Sequence, residues 1–289
     1  MKTRRRYLYF RVIILLTCLC LSAGLGAVLA SCGRGVTGSA EASPTLEQSR
    51  PLSEHPPLSR SLRIPPAPSL TRQIAEKHDQ NADTVGWLQV PGTGIDDVVV
   101  HHPHDQNEFY LRRNFDRRTS MAGAYFADFR NTFNGRAGGL SRNTVIYGHS
   151  LSLDDDPDAP YFDQLKRFLD EDFARANPYI FFSLAEEDLV WQIFAVYYAT
   201  VALPYNHPDF DDGAFADIVL EMQKRSEFIY DVEVGPDDKI LTLSTCTYVF
   251  TPGVHPNRYR FVVSARLMRE GETRGEAAGL TRNPAPKDP

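Results

Sequence analysis

The sequence contains few cysteines, and they are unevenly placed. Cys18, Cys20 and Cys32 lie within or beside an apolar N-terminal segment, so Cys246 is the one thiol in the rest of the chain. An intramolecular disulfide is therefore excluded in that part. A single cysteine in a folded domain is most often a small buried apolar residue, so a catalytic interpretation of Cys246 depends on its neighbours.

Positive charge is also scarce. The formal net charge is −6, and five of the basic residues fall within the first eleven positions, which leaves the remainder still more acidic. This balance argues against nucleic-acid binding, because phosphate backbones are bound by basic surfaces.

Signatures of cofactors and metals are missing as well. The chain has no internal repeat, no glycine-rich phosphate loop and no Cys/His spacing typical of a metal site. His101, His102 and His104 lack a carboxylate or cysteine cluster that would complete a ligand set, and we assign them to a surface strand end. The acidic run at 154–158 lacks the glycine and distal glutamate of a calcium loop and is interpreted as a solvated loop. We expect neither a cofactor nor a metal.

What is present begins with an uncharged run from Val12 to Ala30. As a helix rising ~1.5 Å per residue, these nineteen residues approach the ~30 Å of a bilayer core. The preceding basic cluster predicts a cytoplasmic segment at 1–11, a transmembrane signal anchor at 12–32 and an extracellular remainder at the cell membrane. A cleavable secretory signal has the same pattern, and Leu29–Cys32 resembles a lipoprotein cleavage box, so lipidation at Cys32 is the alternative anchor.

The rest of the chain divides by composition. Residues 33–68 are rich in Pro and Ser and predict a linker, and the polar residues 270–289 predict a disordered tail. Residues 69–269 alternate short β-like runs with turn residues, which predicts a mainly β domain closed into a barrel with few exposed edges. The predicted strands are 85–90, 95–100, 122–127, 144–147, 179–184, 190–200, 240–245 and 259–267.

Three helical segments flank these strands. Ser69 is a predicted N-cap, followed by Leu70, Ile74 and His78 at helical spacing. Apolar faces predict a second helix across 162–173 and a third across 215–222, with Phe228 as a further member of the third face.

Cys246 ends one of the predicted strands. The run from Lys239 to Cys246 leads into a loop, where a strand holds the sulfur in place and the loop keeps it accessible. A thiol of reference pKa ~8.5 needs a nearby imidazole or cation to act as a nucleophile at neutral pH. His149 ends a similar strand 97 positions earlier, and if the two strands are neighbours their side chains meet; His255 in the following loop is the alternative base.

Two arginines enter the next strand. Acyl transfer builds negative charge on a carbonyl oxygen, and a guanidinium beside the sulfur would stabilise it. Arg258 and Arg260 are both candidates from their position, fourteen or fewer residues after Cys246.

Together these residues resemble the sortases, and within them class B. The resemblance covers about 70–268 and rests on Thr242–Cys246, Asn143–His149 and Arg260–Val263, which occur in the family's order. Further similarities are Val85–Leu88, Asn107–Leu111, an N-terminal helix and a long helix before the cysteine strand. Ser150 follows the histidine where many class B relatives have a larger residue.

The resemblance implies an eight-stranded sortase barrel with Cys246 as nucleophile, His149 as general acid/base and Arg260 as the cation that stabilises substrate and oxyanion. Arg260 is preferred to Arg258 because Phe-Val-Val follows it. By the same resemblance, the substrate groove is lined by Ser244, Thr245, Asn107, Leu111 and Tyr205.

The implied activity is transpeptidation. Cys246 would cleave an LPXTG-like or class B variant sorting signal after its threonine and pass the thioacyl group to an amine. The expected partners are secreted proteins that carry the signal, and a peptidoglycan precursor or a pilin amine as acceptor. The alternatives are another extracellular cysteine peptidase or L,D-transpeptidase of the cell wall, and a non-catalytic surface-binding module. An L,D-transpeptidase usually has its cysteine in Ser-His-Gly-Cys, whereas Leu-Ser-Thr precedes Cys246.

Overall fold

The computed structural model describes residues 69–104, 107–251 and 258–289, all within the structural unit 63–289. In these residues, eight strands close into a barrel in the order β1-β2-β3-β4-β8-β9-β6-β5, which confirms the predicted architecture. Neighbouring strands are antiparallel, except that β2 pairs with β3 and β4 with β8 in parallel. The barrel strands are β1 Thr84–Gln89, β2 Asp96–His101, β3 Tyr125–Ala127, β4 Asn143–Tyr147, β5 Tyr179–Leu184, β6 Val190–Thr200, β8 Ile240–Cys246 and β9 Tyr259–Leu267.

The barrel buries apolar side chains on both of its faces. Alternate residues of β1 are buried, as expected for a strand with one face toward the core. In β8 every residue before Cys246 is buried, and Ile240 at its start packs in one apolar cluster with helix α3, Asp212–Arg225. Asp211 caps that helix by accepting a hydrogen bond from the Ala214 amide at 2.8 Å.

The first helix, α1, covers Thr71–Gln80 and begins one residue later than predicted. Leu70 is the N-cap, and the Ser69 hydroxyl bonds to Thr71 Oγ1 at 2.9 Å instead of a backbone amide. The prediction of Ser69 as the cap is therefore wrong. Burial of Leu70 and its amide contact with Asp188 Oδ1 at 3.3 Å place the start of the helix.

The apolar segment at 162–173 is two short helices and not one. A 3₁₀ helix covers Phe162–Leu169, and α2 covers Glu171–Ala176. Asp170 between them is extended, and its carboxylate accepts from the Phe173 amide at 2.8 Å. An N-cap in this position stops the first helix and starts the second.

Two further predictions fail at the other end of the chain. Phe228 lies in strand β7, Phe228–Tyr230, and not on the preceding helix. Within the predicted disordered tail, Leu280–Arg282 form strand β10, which pairs with β7 in a separate two-stranded sheet. Leu280 is buried there, so a partner distant in sequence stabilises a segment that has little apolar character of its own.

The predicted cytoplasmic segment, anchor and linker, 1–68, lie outside the described residues, as does His255. Among the residues that are described, no helix has the length and apolar character required to cross a membrane.

Candidate active site

The parallel pairing of β4 and β8 brings His149 to Cys246. Tyr147 at the end of β4 pairs with Ser244 near the end of β8, an offset of 97 positions that also separates His149 from Cys246. Because parallel strands end at the same edge of a sheet, both side chains leave the barrel at one rim. Thr245 strengthens this junction by donating its hydroxyl to the Gly148 carbonyl at 2.8 Å.

Strand β9 adds a cation on the other side of the cysteine. Cys246 and Arg260 are directly opposite in the antiparallel ladder of β8 and β9. One guanidinium nitrogen of Arg260 donates to the Tyr259 carbonyl at 2.9 Å. Arg258 precedes the strand and is exposed.

A cavity of about 580 Å³ lies over these strand ends. All eight site residues expected from the sequence line it, namely His149, Cys246, Arg260, Ser244, Thr245, Asn107, Leu111 and Tyr205. Its wall also includes Met121, Leu151 and Val201, whose side chains are exposed apolar groups. The cavity therefore combines a thiol, an imidazole and a guanidinium with exposed apolar side chains.

His149 is oriented by a backbone contact. Its Nε2 lies 2.7 Å from the Leu111 carbonyl oxygen. A carbonyl oxygen only accepts, so in this hydrogen bond Nε2–H is the donor.

Gly123 lies against the same imidazole and is a position that the sequence patterns did not reveal. Its φ is +63°, and a Cβ there would lie 2.7 Å from the Tyr110 carbonyl oxygen and 3.0 Å from His149 Cδ2. Glycine is required both for the left-handed backbone and for this close approach.

One wall of the cavity is organised by Asp128, whose carboxylate is fully buried. It accepts hydrogen bonds from Asn107 Nδ2 at 3.0 Å and from the Tyr147 hydroxyl at 2.8 Å, and it pairs with Arg130 at 2.8 Å. Burial acts to raise the pKa of Asp128, but Arg130 and these hydrogen bonds outweigh it and lower the pKa. The ionised Asp128 therefore holds Asn107 and Tyr147 in fixed orientations.

Tyr205 closes the base of the cavity. Its hydroxyl and Ser244 Oγ are 2.9 Å apart and buried. Burial raises the pKa of Tyr205, and the hydrogen bond to Ser244 and the charge of Arg260 oppose the rise only in part. The phenol therefore stays protonated at neutral pH.

The remaining histidines near the site have structural contacts. His101 Nε2 lies 3.3 Å from the Phe129 carbonyl oxygen, and burial lowers the pKa of this imidazole. His102 stacks on Phe109 with ring centroids 4.4 Å apart. In the part of the chain that the structure describes, no three His, Cys, Asp or Glu side chains are arranged to hold a metal ion.

The acidic run is only partly a solvated loop. Its other acids are exposed, but the Asp155 side chain is 9% exposed and pairs with Lys166, itself 2% exposed. The sequence contains one sign of this buried ion pairing: Asp163 and Lys166 are three residues apart on an otherwise apolar face.

No protein-family model matches the chain. It is 34% identical over 175 residues to sortase B of Listeria monocytogenes, covering 60% of this chain and 67% of that protein. It is 30% identical over 190 residues to sortase B of Staphylococcus aureus, covering 65% and 72%. A solved Staphylococcus aureus sortase B–substrate complex superposes with a TM-score of 0.59 at 29% identity, covering 70% of this chain and 87% of that chain.

Proposed function

The chain belongs to the sortase B family of cysteine transpeptidases, and we propose that it cleaves an LPXTG-like or class B variant sorting signal after threonine and joins the protein to an amine. The observation that carries the proposal is the strand arrangement β4-β8-β9, which brings His149, Cys246 and Arg260 to one cavity. Each of the three has the chemistry that one step of acyl transfer requires.

In the first half-reaction, the Cys246 thiolate attacks the threonine carbonyl, and the oxygen becomes an anion. Arg260 donates hydrogen bonds to that anion, which lowers the barrier. As the C–N bond breaks, His149 gives its proton to the departing amine, and the acyl group stays on sulfur as a thioester.

In the second half-reaction, an acceptor amine attacks the thioester. His149 takes the proton that the amine loses, an amide bond forms, and the thiolate is released. The acceptor we propose is a peptidoglycan precursor or a pilin amine. The proposed location is the outer face of the cell membrane, with residues 12–32 as the anchor.

The test incubates the full chain with a library of sorting-signal peptides, with and without an added amine. Mass spectrometry identifies thioacyl adducts on Cys246 and amide products. We expect adducts without amine, and peptide–amine products in its presence. Retained turnover in Cys246→Ala would contradict the proposed nucleophile.

Two arginine variants separate the candidate cations. Arg260→Ala should lower kcat/KM by about 10²–10³, the usual loss of an oxyanion donor. Arg258→Ala is the matched control, because Arg258 is exposed and outside the cavity, and it should remain within twofold of the unmodified chain. The reverse order of effects would assign the role to Arg258.

A further inference from the structure

A buried charged cluster lies behind the rim that carries His149 and Cys246. It consists of Asp155, Asp163 and Lys166, whose side chains are 9%, 0% and 2% exposed. Lys166 pairs with Asp155 and, at 2.9 Å, with Asp163. In a 3₁₀ helix residues three apart are aligned, which is why Asp163 and Lys166 face the cluster together.

Asp163 holds the chain just after His149. The Ser150 hydroxyl donates to Asp163 Oδ1 at 2.5 Å, and the Leu151 amide donates to Oδ2 at 2.6 Å. Lys166 Nζ also donates to Ser150 Oγ, at 2.8 Å. The backbone that leaves the histidine is therefore tied to two charged side chains.

Asp155 holds the chain just after Cys246. One oxygen, Oδ2, accepts from the Thr247 hydroxyl at 2.8 Å and from the Tyr248 amide at 2.7 Å. Asp155 itself has a φ of +61°, which is uncommon for a residue with a side chain and shows that its surroundings hold it in place.

Both carboxylates thus share one ammonium group, and each satisfies backbone donors of a different catalytic segment. Burying such charges is costly unless they are paired and hydrogen-bonded, so the geometry of the cluster is narrowly defined. A shift at either carboxylate is passed to the other through Lys166.

We propose that Asp155, joined through Lys166 to Asp163, is a positioning residue that sets the place of Cys246 relative to His149. This inference rests on the proposed function, in which the Cys246 thiolate attacks the same peptide bond whose departing amine is protonated by His149. The acidic run at 154–158 is then not only a surface loop, because Asp155 within it supports the nucleophile.

The test compares Asp155→Asn and Thr247→Val with the control Asp158→Asn in the full chain. Asp158 belongs to the same loop but is 79% exposed and pairs with Arg167 at the surface. Thr247→Val removes one hydroxyl without changing charge or volume, and so decides the matter if Asp155→Asn fails to fold. Circular dichroism confirms the fold of each variant.

Two readouts are measured. The first is kcat and KM for sorting-signal cleavage, and the second is the rate at which iodoacetamide alkylates Cys246, followed on its peptide by mass spectrometry. Because small displacements of reacting groups reduce rates strongly, we expect kcat to fall about tenfold in Asp155→Asn and threefold in Thr247→Val, with KM within threefold. Alkylation should slow in both, and the double variant should be no slower than Asp155→Asn.

The inference would be overturned if Asp155→Asn and Thr247→Val fold and have the same kcat and alkylation rate as the control Asp158→Asn. It would also be overturned if the effects of the two substitutions multiply in the double variant. Alkylation does not depend on any sorting signal. A chain that fails to cleave the peptides would therefore contradict the proposed function, while alkylation would still decide whether the cluster positions Cys246.

Discussion

Replacing Gly123 by alanine tests whether the imidazole of His149 depends on the close approach of the neighbouring backbone. The new Cβ would lie 3.0 Å from His149 Cδ2 and 2.7 Å from the Tyr110 carbonyl oxygen, both shorter than ordinary van der Waals contact. Since φ is +63°, alanine also costs about 1–2 kcal/mol in backbone conformation.

The expected outcome has two parts. The free energy of unfolding should fall by about 1–3 kcal/mol, from the backbone strain and the contact with Tyr110. The value of kcat/KM should fall about tenfold to a hundredfold, because the imidazole must move away from the new methyl group. Urea unfolding measures the first effect, and cleavage of a sorting-signal peptide measures the second.

Two other glycines serve as controls that separate the effect of backbone strain from the effect of the contact with His149. Gly271 has a φ of +85° but no neighbour within 4 Å of a built Cβ, so Gly271→Ala carries the backbone strain alone. Gly138 also has open space and no left-handed φ, so Gly138→Ala should change neither quantity. If the kcat/KM of Gly123→Ala lies within twofold of the kcat/KM of Gly271→Ala, the contact with His149 does not position the base.

Three further predictions concern the cavity and the core. Tyr205→Phe should lower the free energy of unfolding by about 1–3 kcal/mol, because the buried Ser244 hydroxyl loses its partner. The shape of the pH–rate profile should not change, because burial keeps the phenol protonated; an altered profile would contradict this. Asp128→Asn should be less stable than the unmodified chain at neutral pH. Because folding lowers the pKa of Asp128, this difference in the free energy of unfolding is present above the unfolded-state pKa of about 3.9 and shrinks as the pH falls through the folded-state pKa. Urea unfolding at several pH values measures the difference, and a difference that does not change with pH would refute the role of Arg130. Phe215→Ala should cost about 3–5 kcal/mol, since this side chain is 1% exposed between α3 and the barrel; a loss below 1 kcal/mol in urea unfolding would contradict that packing.

The strand content could be predicted from local pattern. Alternating and continuous apolar runs identified the strands that carry His149 and Cys246, because backbone geometry imposes its period on the side chains that are buried. The helix boundaries were harder. The cap at Asp170 interrupts an apolar run that has no visible break, and Ser69 has a capping side chain that the fold does not use.

Local sequence patterns could not predict which distant segments pair with each other. Strand β10 forms only because β7 is beside it, and its own residues are mostly polar. Lys166 is charged and lies on an apolar face, so only the arrival of Asp155 from another loop makes its burial stable.

The sequence by itself determined which residues carry the chemistry proposed for this protein, because a thiol, an imidazole and a guanidinium must stand at strand ends in a particular order. The tertiary structure decided how they are held. The offset between β4 and β8, the approach of Gly123 to His149 and the link from Asp155 to Thr247 all join segments far apart in the chain. Such contacts arise only when the barrel closes, since closure brings together groups that no local pattern relates.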